Sequence, residues 1–141
     1  MKVVNEIKMS MPAKSVNEGF TRAAAAVLAS QLDPTVDIVA DIKTAVSEAV
    51  TNAVVHAYPQ GGGKVYITLR LLEGGIFSAT IRDTGVGIAD VKLARTPCYT
   101  SGGTGERSGM GFSIMEAFMD KLRVTSKPGR GTTVTMYKKL S

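Results

Sequence analysis
Glu48 and Asn52 stand four residues apart in Ser47-Glu48-Ala49-Val50-Thr51-Asn52, a spacing that stacks two side chains on one face of a helix. A cation or phosphate held by one is then within reach of the other. Asn52 offers a neutral oxygen to a hard cation such as Mg2+, which prefers oxygen ligands and keeps several waters. The Glu48 carboxylate could orient or deprotonate a hydroxyl. Taken alone, the pair also describes the exposed polar face of many amphipathic helices.

Further along, Asp83-Thr84-Gly85-Val86-Gly87 joins a carboxylate that can accept from an amino group to glycines that let backbone approach a ligand closely. Adenine carries such an amino group. The same string is equally a plain turn. Gly109-Met110-Gly111 immediately precedes an apolar segment with helical character, so its free amides and the helix dipole could hold a phosphate. Capping turns use the same residues. Arg107 would give a terminal phosphate a fixed cation, or be a solvated surface arginine. Individually these signals are weak. Their order along one chain, closed by Gly131-Thr132 before a final apolar run, points to a Mg-nucleotide site.

The elements that must position these residues can be read from periodicity. Val3 to Met9 alternates loosely, as an edge strand does. Ser15 and Glu18 have the spacing of a capping box ahead of an alanine-rich helix reaching Leu32. Asp33-Pro34 then pairs a capping carboxylate with a proline suited to the first turn, which predicts a second helix from there to about Ala57. Its core stripe is Ile42, Ala45, Val46, Ala49, Val50, Ala53 and Ala57. Glu48, Asn52 and His56 lie on another face. Lys64 to Leu72 and Ile76 to Arg82 read as a hairpin around Glu73-Gly74-Gly75. Gly85 to Gly111 is too long for an ordinary connection and predicts a functional loop or lid. Phe112 to Asp120 is helical, and Leu122 to Ser126 and Thr132 to Leu140 form a second hairpin. Segregated helices and hairpins imply one α+β domain over residues 1–141, a two-layer sandwich of helices over a mixed, largely antiparallel sheet.

Composition agrees with a single globular domain: 141 residues, 44% hydrophobic and 21% charged. No apolar run approaches the roughly 18 residues of a membrane span, and Met1 to Pro12 lacks the apolar core of a secretory signal. The lone Cys98 can form no internal disulfide and agrees with a reducing compartment, so a cytoplasmic location is expected. The net charge is +5, but Lys and Arg are spread singly along the chain except at Lys138-Lys139, and no stacking aromatics interleave with them. The spacing therefore argues against direct nucleic-acid binding. An acidic protein partner or a phosphate ligand accounts for the charge equally well.

In this order the motifs resemble the ATPase and kinase superfamily shared by gyrase, a heat-shock chaperone, the histidine kinases and the mismatch-repair protein MutL. Glu48 to Ala53 is similar to its N box, Asp83 to Gly87 to its first glycine box, Gly109 to Gly111 to its second and Gly131-Thr132 to its last. The closer resemblance is to the serine kinases that act as anti-sigma factors in sporulation. It rests on Leu32-Asp33-Pro34, on Ser47 to Ala53 with His56 and Tyr58, on Arg82-Asp83-x-Gly-Val-Gly-Ile and on Glu106 to Phe112.

That resemblance implies a Bergerat-type ATP-binding fold with ATP and Mg2+ as cofactors. It implies that Asn52 coordinates the metal, that Asp83 binds the adenine amino group with support from Thr132, and that Gly85 and Gly87 leave room for the base. Ser108, Gly109, Met110, Gly111 and Phe112 would wrap the phosphates and Arg107 would touch the terminal one. Glu48 would take the proton of a partner's serine. Arg22 matches a position that contacts protein partners. The implied partners are a sigma factor, an anti-anti-sigma protein that is the substrate, and a second copy of the chain. Ser101 to Gly105 is richer in glycine than the lids of that family. His56, the only histidine, is read as structural or as a neighbour of the site, and no membrane contact is expected.

Overall fold
A computed structural model describes residues 1–96 and 110–141. The elements in chain order are β1 (Val3–Pro12), α1 (Glu18–Ser30), α2 (Val36–His56), β2 (Lys64–Leu72), β3 (Ile76–Asp83), α3 (Val91–Ala94), α4 (Gly111–Phe118), β4 (Lys121–Lys127) and β5 (Gly131–Lys139). The five strands form one sheet in the order β1-β2-β3-β5-β4. All four strand pairs are antiparallel. β4 runs parallel to β3, but β5 lies between them, so the sheet has no parallel pair and is not mixed.

Helices α1, α2 and α4 cover one face. The expected stripe of α2 is the observed one, with Ile42, Ala45, Val46, Ala49, Val50 and Ala53 all buried. Opposite it lie Val65, Ile67, Leu69 and Leu71 of β2 and Phe77, Ala79 and Ile81 of β3, also buried. Alanines on the helix let it approach the sheet closely, while the branched residues supply most of the apolar area removed from water, worth roughly 25 cal/mol per Å2. Among the described residues no helix is long and apolar enough to cross a membrane.

Three local expectations change. The capping box does not form: Ser15–Asn17 is a short 3-10 turn with no side-chain cap, and Glu18 instead pairs with Arg22 at 3.1 Å. A charge-assisted bond one turn ahead outcompetes the reach back to a backbone amide. Asp33 does not cap α2 either. It closes the end of α1, its amide donating to the Ser30 carbonyl at 3.1 Å, in the left-handed conformation (φ 53°) that aspartate tolerates. The cap passes to Thr35, whose Oγ1 accepts from the Ile38 amide at 3.3 Å. Finally, α4 stops at Phe118 because the Asp120 backbone joins the sheet edge, its amide donating to the Tyr137 carbonyl at 2.9 Å and its carboxylate accepting from the Lys139 amide at 2.6 Å.

Pairing also overturns the apparent scatter of basic residues. Successive strand residues point to opposite faces, so register rather than sequence spacing decides which charges are neighbours. Lys8, Lys64, Arg70, Arg82, Lys121, Arg123, Lys127 and Lys139 all fall on the sheet face turned away from the helices.

Candidate functional site
Asp83 is the last residue of β3 and continues the alternation of Phe77, Ala79 and Ile81, so its carboxylate points to the helical side. It is 6% exposed. Oδ1 accepts from the Gly85 amide at 3.0 Å and from the Thr132 amide at 3.1 Å, which joins the end of β3 to the start of β5. Oδ2 carries no bond among the described residues. Burial pushes this carboxyl above its ordinary value of 3.8, and the two amides and the nearby Arg82 charge partly offset that rise.

The glycines after Asp83 are fixed by contact. A side chain at Gly85 would collide with the Ala57 carbonyl at the end of α2, and one at Gly87 with the carbonyl of Lys127, the last residue of β4. Gly87 also has φ 75°, a conformation that glycine adopts at little cost. Backbone bonds hold the same loop, from the Val86 amide to the Ala57 carbonyl at 2.9 Å and from the Gly129 amide to the Val86 carbonyl at 2.7 Å. Two side chains complete the tie. The Tyr58 hydroxyl donates to the Lys64 carbonyl at 2.6 Å and accepts from the Thr84 amide at 2.9 Å. Ser126 Oγ accepts from the Ile88 amide at 2.7 Å, donates to the Gly131 carbonyl at 2.8 Å and lies 2.8 Å from Thr132 Oγ1.

These elements enclose a cavity of about 390 Å3 between α2 and the ends of β3 and β5. Its wall is mainly apolar, from Ala49, Ala53, Ile81, Val86, Ile88, Ala94, Phe112 and Val134, with Asp83, Asn52, Thr132, His56 and Asp90 as its polar points. An apolar pocket with a few fixed polar groups is the usual form of a small-molecule site. Asn52 meets the start of α4 here: a Cβ added to Gly111 would lie 2.9 Å from Asn52 Nδ2. Helix N-terminal amides therefore open beside the Asn52 amide.

The sequence-predicted residues divide into three groups. Asn52, Asp83, Gly87, Phe112 and Thr132 line the cavity, with Gly85 and Gly111 packed directly behind it. Glu48 is half-buried one helical turn before Asn52 and outside the cavity lining. Arg22 lies on α1, with its guanidinium 3.5 Å from Ser47 Oγ, next to Glu48 in the chain. Met110 forms the N-terminal boundary of α4, its carbonyl accepting from the Ile114 amide at 2.8 Å. Arg107, Ser108, Gly109, Cys98 and the Ser101 to Gly105 segment lie outside the described residues.

Sequence reasoning missed several parts. His56 lines the cavity itself, as its spacing from Asn52 would have allowed. Asp90 and Ala94 belong to α3, a four-residue helix capped by the Asp90 carboxylate on the Leu93 amide at 3.0 Å, too short to leave a periodic signal. The ties made by Tyr58 and Ser126 link residues that are distant in sequence.

The residues present fit an adenine nucleotide. Oδ2 of Asp83 can accept from an amino group at the cavity floor, the apolar walls suit a base, and Asn52 sits by a helix N-terminus suited to phosphate. Among the described residues no group of three or more His, Cys, Asp or Glu could hold a metal.

A family model described as histidine kinase-like ATPase domain matches residues 11–138. The chain is 51% identical over 138 residues to the anti-sigma F factor of Halalkalibacterium halodurans, covering 97% of this chain and 94% of that protein. It is 49% identical over 138 residues to the anti-sigma F factor of Bacillus subtilis, with the same coverage. Among solved structures, the RsbU and RsbW domains of a Mycobacterium tuberculosis protein superpose with a TM-score of 0.69 at 20% identity, over 97% of this chain and 33% of that one. A blue-light activated histidine kinase of Erythrobacter litoralis gives 0.60 at 22% identity, over 92% and 62%. These two likenesses concern the fold. With the cavity on the shared fold and the near full-length identity, the chain belongs to the histidine kinase-like ATPase family, in its group of anti-sigma F factors.

Proposed function
We propose that this chain is a Mg-ATP-dependent protein serine kinase that phosphorylates and so inactivates an anti-anti-sigma partner, and that it sequesters a sporulation RNA polymerase sigma factor in the cytoplasm. The observation that carries the reading is Asp83: a buried carboxylate whose Oδ1 is fixed by two amides and whose Oδ2 is left for a ligand amino group. Asn52 would hold the metal and Thr132 would support Asp83. Gly85 and Gly87 would admit the base, and Met110, Gly111 and Phe112, with Ser108, Gly109 and Arg107, would surround the phosphates.

Mg-ATP supplies the terminal phosphoryl group. In transfer, a new P–O bond forms to the partner's serine Oγ, the bond to the bridging oxygen breaks and ADP leaves. Glu48 accepts the serine proton. Arg22, beside Ser47, would guide the partner toward this end of α2. Exposed Val16, Phe20 and Val27, at 80%, 66% and 67%, support assembly as a homodimer, which a solution mass of one chain would contradict.

The test incubates the protein with terminally labelled ATP, Mg2+ and a lysate of sporulating cells, with Glu48→Gln in parallel. One small labelled protein carrying acid-stable phosphoserine is expected, with transfer reduced at least about a hundredfold in the variant and ATP affinity retained. ATP binding with no labelled protein would make the chain a non-catalytic, nucleotide-gated binding module.

A further inference from the structure
Of the 17 basic and 12 acidic residues of the chain, eight basic residues and one acid, Glu6, face outward from the sheet. That leaves nine basic and eleven acidic residues for everything else. The open face thus carries more than the whole net charge, and every strand contributes a cation. Glu6 is itself engaged by Arg70 at 2.6 Å and Lys8 at 3.8 Å.

The face also carries rings and hydroxyls. The Arg82 guanidinium lies 4.2 Å from the centre of the Tyr66 ring and Lys121 Nζ 5.8 Å from that of Tyr137. Thr68, Thr80, Thr125, Thr133 and Thr135 fill the rows between them. Its aliphatic side chains lie at its margins, Val3, Leu72 and Ile76 together at one end and Pro12 at the other. A protein partner would find no aliphatic anchor at the centre of this surface. An open cationic surface, hydroxyl donors and a guanidinium over a tyrosine ring are what single-stranded nucleic acid uses, through phosphate neutralisation and base stacking on aromatic and arginine planes.

We propose that the open sheet face is a binding surface for single-stranded nucleic acid, separate from the nucleotide cavity on the opposite side of the sheet. Recognition is by backbone charge and stacking, without base-edge readout, so binding is sequence-tolerant and strongly salt-dependent.

The test measures anisotropy of a labelled single-stranded RNA of about 12 nucleotides across a salt series, with polyglutamate and phosphatidylserine vesicles as competitors. Binding with a log–log salt slope of about −3 or steeper is expected. The combined exchange Lys8→Glu, Lys121→Glu and Arg123→Glu, all at exposed positions, should weaken it at least tenfold while ATP affinity stays unchanged. If that variant loses ATP binding, the single changes Lys121→Glu and Arg123→Glu are read in the same way. Equal RNA affinity in the charge-reversed proteins, or displacement of RNA by polyglutamate or vesicles at matched charge, overturns the proposal, the latter two in favour of an acidic protein or a membrane surface.

Discussion
Asp83 is an acid kept where its charged form is disfavoured, held by two amides on one oxygen. Because its folded pKa lies above the ordinary 3.8, the native state retains a proton that the unfolded chain releases first. Stability therefore falls as pH rises from about 3.8 through the folded value, and the loss is complete above it. Asp83→Asn keeps an oxygen for the Gly85 and Thr132 amides and removes the ionisation. Denaturant unfolding across that window should show the variant gaining stability relative to the parent chain as pH rises; a constant difference would refute this account of Asp83. At this scale much was legible. Of the residues that line the cavity, Asp83 and Gly87 were marked by a carboxylate beside glycines and Asn52 by its helix face, whereas Thr132 and Phe112 entered as site residues only through the family resemblance. Tyr58 and Ser126 were not, because their hydroxyls act on backbone groups far away in sequence, and single-residue chemistry does not announce such partners.

The elements were legible where hydrophobic period was strong. The α2 stripe and the hairpin of β2 and β3 follow directly from spacing, since burial enforces period 3.6 or 2. Their ends were less legible, because several polar residues compete for the same free amides. Ser15, Asp33 and Thr35 are all reasonable caps, and only Thr35 makes the bond for α2. Thr35→Ala should therefore cost about 1 kcal/mol of stability, while Ser15→Ala, which removes no side-chain cap, should cost little. Thermal or denaturant unfolding of the pair checks this, and equal losses would restore the capping-box assignment. The short α3 escaped notice because four residues complete barely one turn.

Across the whole molecule, one sheet separates two surfaces. Helices and the nucleotide cavity occupy one side, and the other gathers basic residues that look scattered in the linear sequence. Register makes that difference, since a strand displaced by one residue would turn its cations toward the core. Such long-range pairing was the least readable property of the chain. The central claim, that the Asp83-floored cavity holds adenine, is tested most directly by calorimetric titration of Mg-ATP into the native chain and into Asp83→Asn. The cavity geometry predicts saturable binding at one site per chain, weakened at least about tenfold by the substitution, as expected when a charge-assisted hydrogen bond is replaced by two facing donors. Undiminished affinity in Asp83→Asn would place the nucleotide elsewhere.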